Sequence, residues 1–162
     1  PESNYHMAYE ALLGPAGIPE SNIHRMMGEM AKHEAADDYE AQLHQFFGED
    51  PVSFDVLHLG MGADGHTASL FPGGHELNEF ERWATPSRAP AGTKARQRLT
   101  LTYPALDAAR LVLVAAAGEG KREAFLDVIE AYETGSLAPP PVARVRPDGP
   151  LAWMVDRALA QG

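Results

Sequence analysis

The chain has 162 residues, 44% of them hydrophobic, enough for one domain with a continuous core and too few for two. It has no cysteine, which excludes disulfides, thiolate metal sites and a cysteine nucleophile and makes a reducing cytoplasm the expected compartment. A net charge of −10 argues against a nucleic-acid or anionic-membrane partner, and no stretch approaches the ~20 apolar residues of a membrane span or the pattern of a secretion signal.

The predicted elements follow in chain order. Ser3 can cap a helix through Met7, Ala8, Leu12 and Leu13 that stops at Gly14, with Pro15 and Pro19 beyond. Ile23 to Met26 reads as a short strand. Ala35 to Phe47 carries apolar residues at 36, 39, 43, 46 and 47, a helical spacing, and ends at Gly48. Phe54 to Gly60 is a largely apolar run bounded by Pro51, as expected of a buried parallel strand.

A Gly- and Pro-rich segment spans 72 to 92. Arg98 to Thr102 then alternates like a strand, and Leu111 to Ala117 is a second continuous apolar run closed by Gly118. Residues 121 to 133 read as an amphipathic helix with Phe125, Ile129 and Tyr132 on its apolar side. Strand, glycine turn and helix thus recur twice, the signature of an α/β sheet. Gly135 to Pro141, with three consecutive prolines, reads as a rigid connection within the domain.

The chemistry concentrates after the first apolar run. Gly60, Gly62 and Gly65 fit G-x-G-x-x-G, but Pro72 interrupts before a long helix can form and no second strand ends in a suitably spaced acid, so a dinucleotide site is disfavoured. A loop without β-carbons can still bring amides close to an anion or oxyanion. Gly118-Glu-Gly-Lys121 lacks the first glycine and the Ser or Thr of a nucleoside-triphosphate loop, yet it sets a lysine at a helix start beyond a buried strand, where α/β sheets bind small anions. Of the 13 Lys and Arg only Arg25 and Lys32 precede residue 82, so the later part of the chain can host such an anion.

His66 lies just past a strand end, two residues after Asp64, and imidazole can take a proton from water near neutral pH. A mononuclear metal site from His58, Asp64 and His66 is the competing reading, without helical ligand spacing to support it. The other histidines have no partner spacing and read as structural. Ser69 has no nucleophile elbow.

The segment Leu59-Gly-Met-Gly-Ala-Asp-Gly-His-Thr-Ala-Ser-Leu-Phe-Pro-Gly73 closely resembles the signature of the 6-phosphogluconolactonases. The resemblance continues through Ser3-Asn4-Tyr5, Ile23-His24-Arg25, Arg98 to Thr102, Gly118 to Lys121 and Trp153 to Asp156. It implies a Rossmann-like, mainly parallel sheet with flanking helices, of the type shared with glucosamine-6-phosphate deaminases, ribose-5-phosphate isomerases and CoA-transferases. The deaminases resemble this loop too, but continue Gly-His-Ile-Ala-Phe-Asn-Glu-Pro where this chain has Gly65-His-Thr-Ala-Ser-Leu-Phe-Pro72, which favours the lactonase branch.

The activity so implied is hydrolysis of 6-phospho-D-glucono-1,5-lactone in the oxidative pentose phosphate pathway. His66 would be the general base and Asp64 would orient the loop or imidazole. Arg98 and Lys121 would hold the 6-phosphate, and amides of the Gly60, Gly62 and Gly65 loop would meet the oxyanion. The partner would be the phosphorylated sugar lactone, with no metal or organic cofactor. Family members also carry a Gly-Gly-Ser-Thr phosphate loop and an Asp-Glu-Arg segment before the counterpart of Ser3-Asn4. Residues 1–162 therefore correspond to the C-terminal two-thirds of one domain, N-terminally incomplete and expected to be inactive or nearly so alone. A phosphosugar-binding remnant without catalysis is the non-enzymatic alternative.

Overall fold

The computed structural model describes residues 3–48, 51–93 and 95–161. Three parallel strands, β1 (Leu57–Gly60), β4 (Val112–Ala116) and β5 (Leu151–Val155), form one sheet in the order β1-β4-β5. The other two, β2 (Ala84–Arg88) and β3 (Gln97–Leu101), form an antiparallel ribbon. The helices are α1 (Asn4–Ala8), α2 (Lys32–Phe47), α3 (Tyr103–Asp107), α4 (Arg122–Thr134) and α5 (Arg157–Gln161). Among the described residues no helix is long and apolar enough to cross a membrane.

β4 is the central strand of this sheet, and its residues alternate between a buried face and a half-buried one. Val112, Val114 and Ala116 are buried, and Leu57↔Val112 and Val112↔Leu151 fix its register on either side. The main core gathers these residues with Leu59, Met61, Leu70, Leu106, Val128, Val142, Val145 and Leu159. Leu70 is fully buried, so Leu70→Ala would cost about 2–5 kcal/mol.

Ser3 caps the first helix as expected, its hydroxyl accepting from the His6 amide at 3.1 Å. The helix continues to Gly14, but its second half, Tyr9–Leu13, is a π-turn closed by the Gly14 amide donating to the Tyr9 carbonyl. α2 ends at Gly48 with φ 68°, a conformation that glycine adopts without strain. The Glu40 carboxylate of α2 accepts from the amides of Trp83 (2.9 Å) and Ala84 (2.8 Å), fastening the helix to the ribbon.

Four sequence expectations are corrected. Ile23–Met26 is no strand: it follows a 3₁₀ turn at Glu20–Asn22 and has no ladder partner among the described residues. β2 lies inside the Gly- and Pro-rich segment, where Pro86 is tolerated on a two-stranded ribbon. α4 buries Ala124, Val128 and Ala131, whereas Ile129 and Tyr132 are exposed and Phe125 packs at the margin on Trp153. Large apolar residues misled there because the close approach of a helix to a sheet selects small ones. Finally, the strand–turn–helix unit occurs at β4–α4 but not after β1, where the backbone stays non-helical apart from one 3₁₀ turn, His75–Asn78.

Candidate active site

Gly60 of β1 lies beside Ala115 of β4, so the loops after both strands leave the sheet at the same carboxyl edge. The first of them is bound to itself at every few residues. The Thr67 hydroxyl donates to the Gly60 carbonyl (2.7 Å), the Gly62 amide to the His66 carbonyl (2.8 Å) and the Leu70 amide to the Thr67 carbonyl (2.8 Å). Met61, Thr67, Leu70 and Phe71 are buried beneath it, so the loop has its own anchoring core.

His66 and Asp64 stand together at the top of this loop. The imidazole Nδ1 lies 2.6 Å from Asp64 Oδ1, and the same carboxylate oxygen accepts from the His66 amide at 3.2 Å. With Nδ1–H donating to the carboxylate, Nε2 is left as the acceptor of a proton. Burial raises the Asp64 pKa, but the hydrogen bonds from the His66 ring and amide outweigh it and hold the carboxyl below its ordinary value. The ring leans on Phe71, centroids 4.5 Å apart, and its side chain is 31% exposed, open to a substrate yet held on one side.

The glycines act here by shape. A Cβ on Gly62 would stand 2.1 Å from His66 Nδ1, and Gly65 combines φ 76° with Pro140 2.7 Å from where its Cβ would be. The Val142 amide donates to the Gly65 carbonyl (3.0 Å), so the proline-rich connection clamps the loop from behind. The Gly62 and Gly65 amides donate within the loop, to the carbonyls of His66 and Gly62. The expected oxyanion role therefore does not fall to those two amides.

Arg98 of β3 is brought to the same loop. Ser69 and Arg98 line one cavity of about 800 Å³ with Arg25 and Lys32, and the Ser69 amide donates to the Thr100 hydroxyl (3.1 Å). Arg98 Nε is buried without a hydrogen-bond partner, a cation with an unused donor. Lys121 ends a 3₁₀ turn at the start of α4, set by Gly118, whose amide donates to Asp156 (3.1 Å). Lys121 lines neither this cavity nor a second one of about 590 Å³ that takes in Asp64. That second cavity is lined by Arg144 as well, and sequence spacing gave no signal for Arg25, Lys32 or Arg144 because only folding brings them to a cavity. His58 is exposed on β1, and no group of three His, Cys, Asp or Glu among the described residues could hold a metal ion.

A family model described as glucosamine-6-phosphate isomerases/6-phosphogluconolactonase matches residues 1–153. The chain belongs to this family. It is 42% identical to human 6-phosphogluconolactonase over 99% of the chain and 61% of the human protein, and 41% identical to the Synechocystis 6-phosphogluconolactonase over 99% of the chain and 66% of that protein. The 6-phosphogluconolactonase structure from Trypanosoma brucei superposes with a TM-score of 0.84 at 28% identity, covering 99% of this chain and 67% of that one. A monomeric glucosamine-6-phosphate deaminase, at 19% identity and a TM-score of 0.76, shares the fold. The chain thus spans about three-fifths of the human relative.

Proposed function

We propose that the protein hydrolyses 6-phosphoglucono-1,5-lactone to 6-phosphogluconate, and the observation that carries this is the His66–Asp64 pair on its self-braced loop. His66 Nε2 takes a proton from water while the water oxygen bonds to the lactone carbonyl carbon. As the tetrahedral intermediate collapses, the bond from that carbon to the ring oxygen breaks, and the ring oxygen takes the proton back from the imidazolium. Asp64 fixes the tautomer and offsets the charge His66 gains. Arg98, on the cavity it shares with Arg25 and Lys32, holds the 6-phosphate through its fork, and Lys121, which lines neither cavity, contributes as a point charge from the start of α4. The scheme uses no metal or organic cofactor, and a cytoplasmic setting suits a chain without cysteine.

A deaminase reading has the same base but lacks support beyond Gly65-His66, where Ser69 and Leu70 stand in place of the deaminases' Phe and Asn. The test is to follow lactone loss above its spontaneous rate with the full gene product, and ammonia release from glucosamine 6-phosphate beside it. Enzymatic lactone loss is expected. Ammonia release without lactone loss would move the assignment to the deaminases.

A further inference from the structure

Behind the His66 loop lies a buried acid that the proposed chemistry does not use. Glu76, 1% exposed, sits in the His75–Asn78 turn and folds back over Gly74, where an added Cβ would stand 2.4 Å from its Oε1. A carboxyl buried this way needs hydrogen bonds or a counter-charge. The one basic side chain within 4 Å of it among the described residues is the largely exposed ring of His75, 3.3 Å from Oε2, and Oε2 has no hydrogen-bond partner.

Its other oxygen is engaged. Glu76 Oε1 lies 2.8 Å from Ser87 Oγ on β2, and the same hydroxyl is in hydrogen-bond contact with the carbonyl oxygen of Ser69, three residues past His66. A hydroxyl has one hydrogen, and a carbonyl can only accept. If Glu76 is also only an acceptor, one of the two contacts has no proton. Both close when Glu76 supplies a donor: the acid O–H donates to Ser87 Oγ, which donates to the Ser69 carbonyl. The Ser69 amide is already held by Thr100, so this chain would pin both ends of residue 69.

We propose that Glu76 is a positioning residue for the hydrolysis, a buried carboxylic acid that donates to Ser87 and so fixes Ser69 and the span back to His66. This rests on the lactonase reading above. It makes a prediction that a mere filler of space would not: the amide of Glu76→Gln has a donor and should replace the acid, whereas Glu76→Ala should not.

The experiment compares Glu76→Gln, Glu76→Ala, Ser87→Ala and the double alanine variant in the full gene product. Glu76→Gln should keep kcat within ~3-fold, and Glu76→Ala should lower kcat ~10- to 100-fold, the range for groups that support a functional side chain, with KM nearly unchanged. Ser87→Ala should match it, and the double variant should lose little more because both act through one chain. The imidazole NMR signals of His66, assigned by their loss in His66→Ala, give a readout independent of turnover. They should shift in Glu76→Ala and Ser87→Ala and stay in Glu76→Gln. Should Glu76→Ala not fold, Ser87→Ala and Glu76→Gln carry the same comparison. A glutamine variant as impaired as alanine, unmoved His66 signals in Ser87→Ala, or losses that only track the melting temperature would overturn the inference. Wild-type protein without lactonase activity overturns the functional reading instead, and the NMR comparison still decides the role of Glu76.

Discussion

Two adjacent parallel strands, β1 and β4, deliver their loops to one edge of the sheet, and both loops open with closely spaced glycines. They are built in opposite ways. After β4 the chain turns at Gly118 (φ 96°) and enters α4 within a few residues, and no atom lies within 4 Å of a Cβ built on Gly118 or Gly120. After β1 the chain stays irregular through Gly74, folded on its own carbonyls and hydroxyls, and Gly62 and Gly65 are in places where a Cβ cannot fit. The difference matches what each loop has to hold. A cation at a helix start needs only approximate placement, because a point charge acts over several ångströms. A proton-transferring imidazole must be held within hydrogen-bond reach of its water.

The largest effect expected from this contrast is at His66. His66→Ala should lower kcat by ~10²- to 10⁴-fold while the melting temperature and phosphosugar binding persist, since only positioned proton transfer is lost. Chelator-abolished activity restored by zinc would instead make His66 a metal ligand.

Next come the glycines themselves. Gly62→Ala places a methyl group 2.1 Å from His66 Nδ1 and should cost kcat ~10- to 100-fold, whereas Gly120→Ala, whose Cβ meets nothing within 4 Å, should leave kcat unchanged. Steady-state rates of the two variants measured side by side decide this. Equal effects would mean that the two loops are braced alike.

How much of this was legible beforehand follows the range of the interactions. The two runs that became β1 and β4 and the long helix to Gly48 were readable because their patterns are local. The pairing of Asp64 with His66 was also within reach, two residues apart in a turn. β2 was not, since Ala84–Arg88 becomes a strand through its partner Gln97–Leu101 and the Glu40 carboxylate rather than through its own alternation. Nor were the Pro140 clamp on Gly65 or the Ser87–Ser69 contact, which join residues far apart in sequence. Glycine spacing said that the loop was special; only packing says which glycines are there for space.

A smaller effect separates the cations. Arg98 is two residues from Thr100, which bonds the Ser69 amide, whereas Lys121 lies at the looser exit. Arg98→Lys should therefore raise KM ~10-fold for the phosphorylated lactone and leave unphosphorylated gluconolactone nearly untouched, because the charge stays and the fork goes. Lys121→Arg at the tolerant loop should change KM less. Equal losses of Arg98→Lys on both lactones would assign Arg98 to structure rather than to phosphate.

The smallest expected effect is the contribution of Asp64 to stability, and its sign follows from the direction of its shift. Burial pushes the carboxyl up and the His66 hydrogen bonds pull it further down, leaving it below its ordinary value in the folded protein. A carboxyl so lowered contributes stability above its unfolded pKa of about 3.9, and the contribution is lost as the pH falls through the lower folded value. The Asp64 side chain is 42% exposed, so solvent screens the pair, and exposed ion pairs are typically worth ~0–1 kcal/mol. Melting temperatures of the wild type and Asp64→Asn, measured from pH 3 to 7, should differ by a few degrees at most. That gap should close as the pH falls below about 4 and through the lowered folded value of the Asp64 carboxyl. A gap that widens as the pH falls from about 4 to 3 would mean that folding raises the Asp64 pKa, so that the hydrogen bonds from His66 do not outweigh burial and the pair is not the fixed element that the braced loop exists to hold.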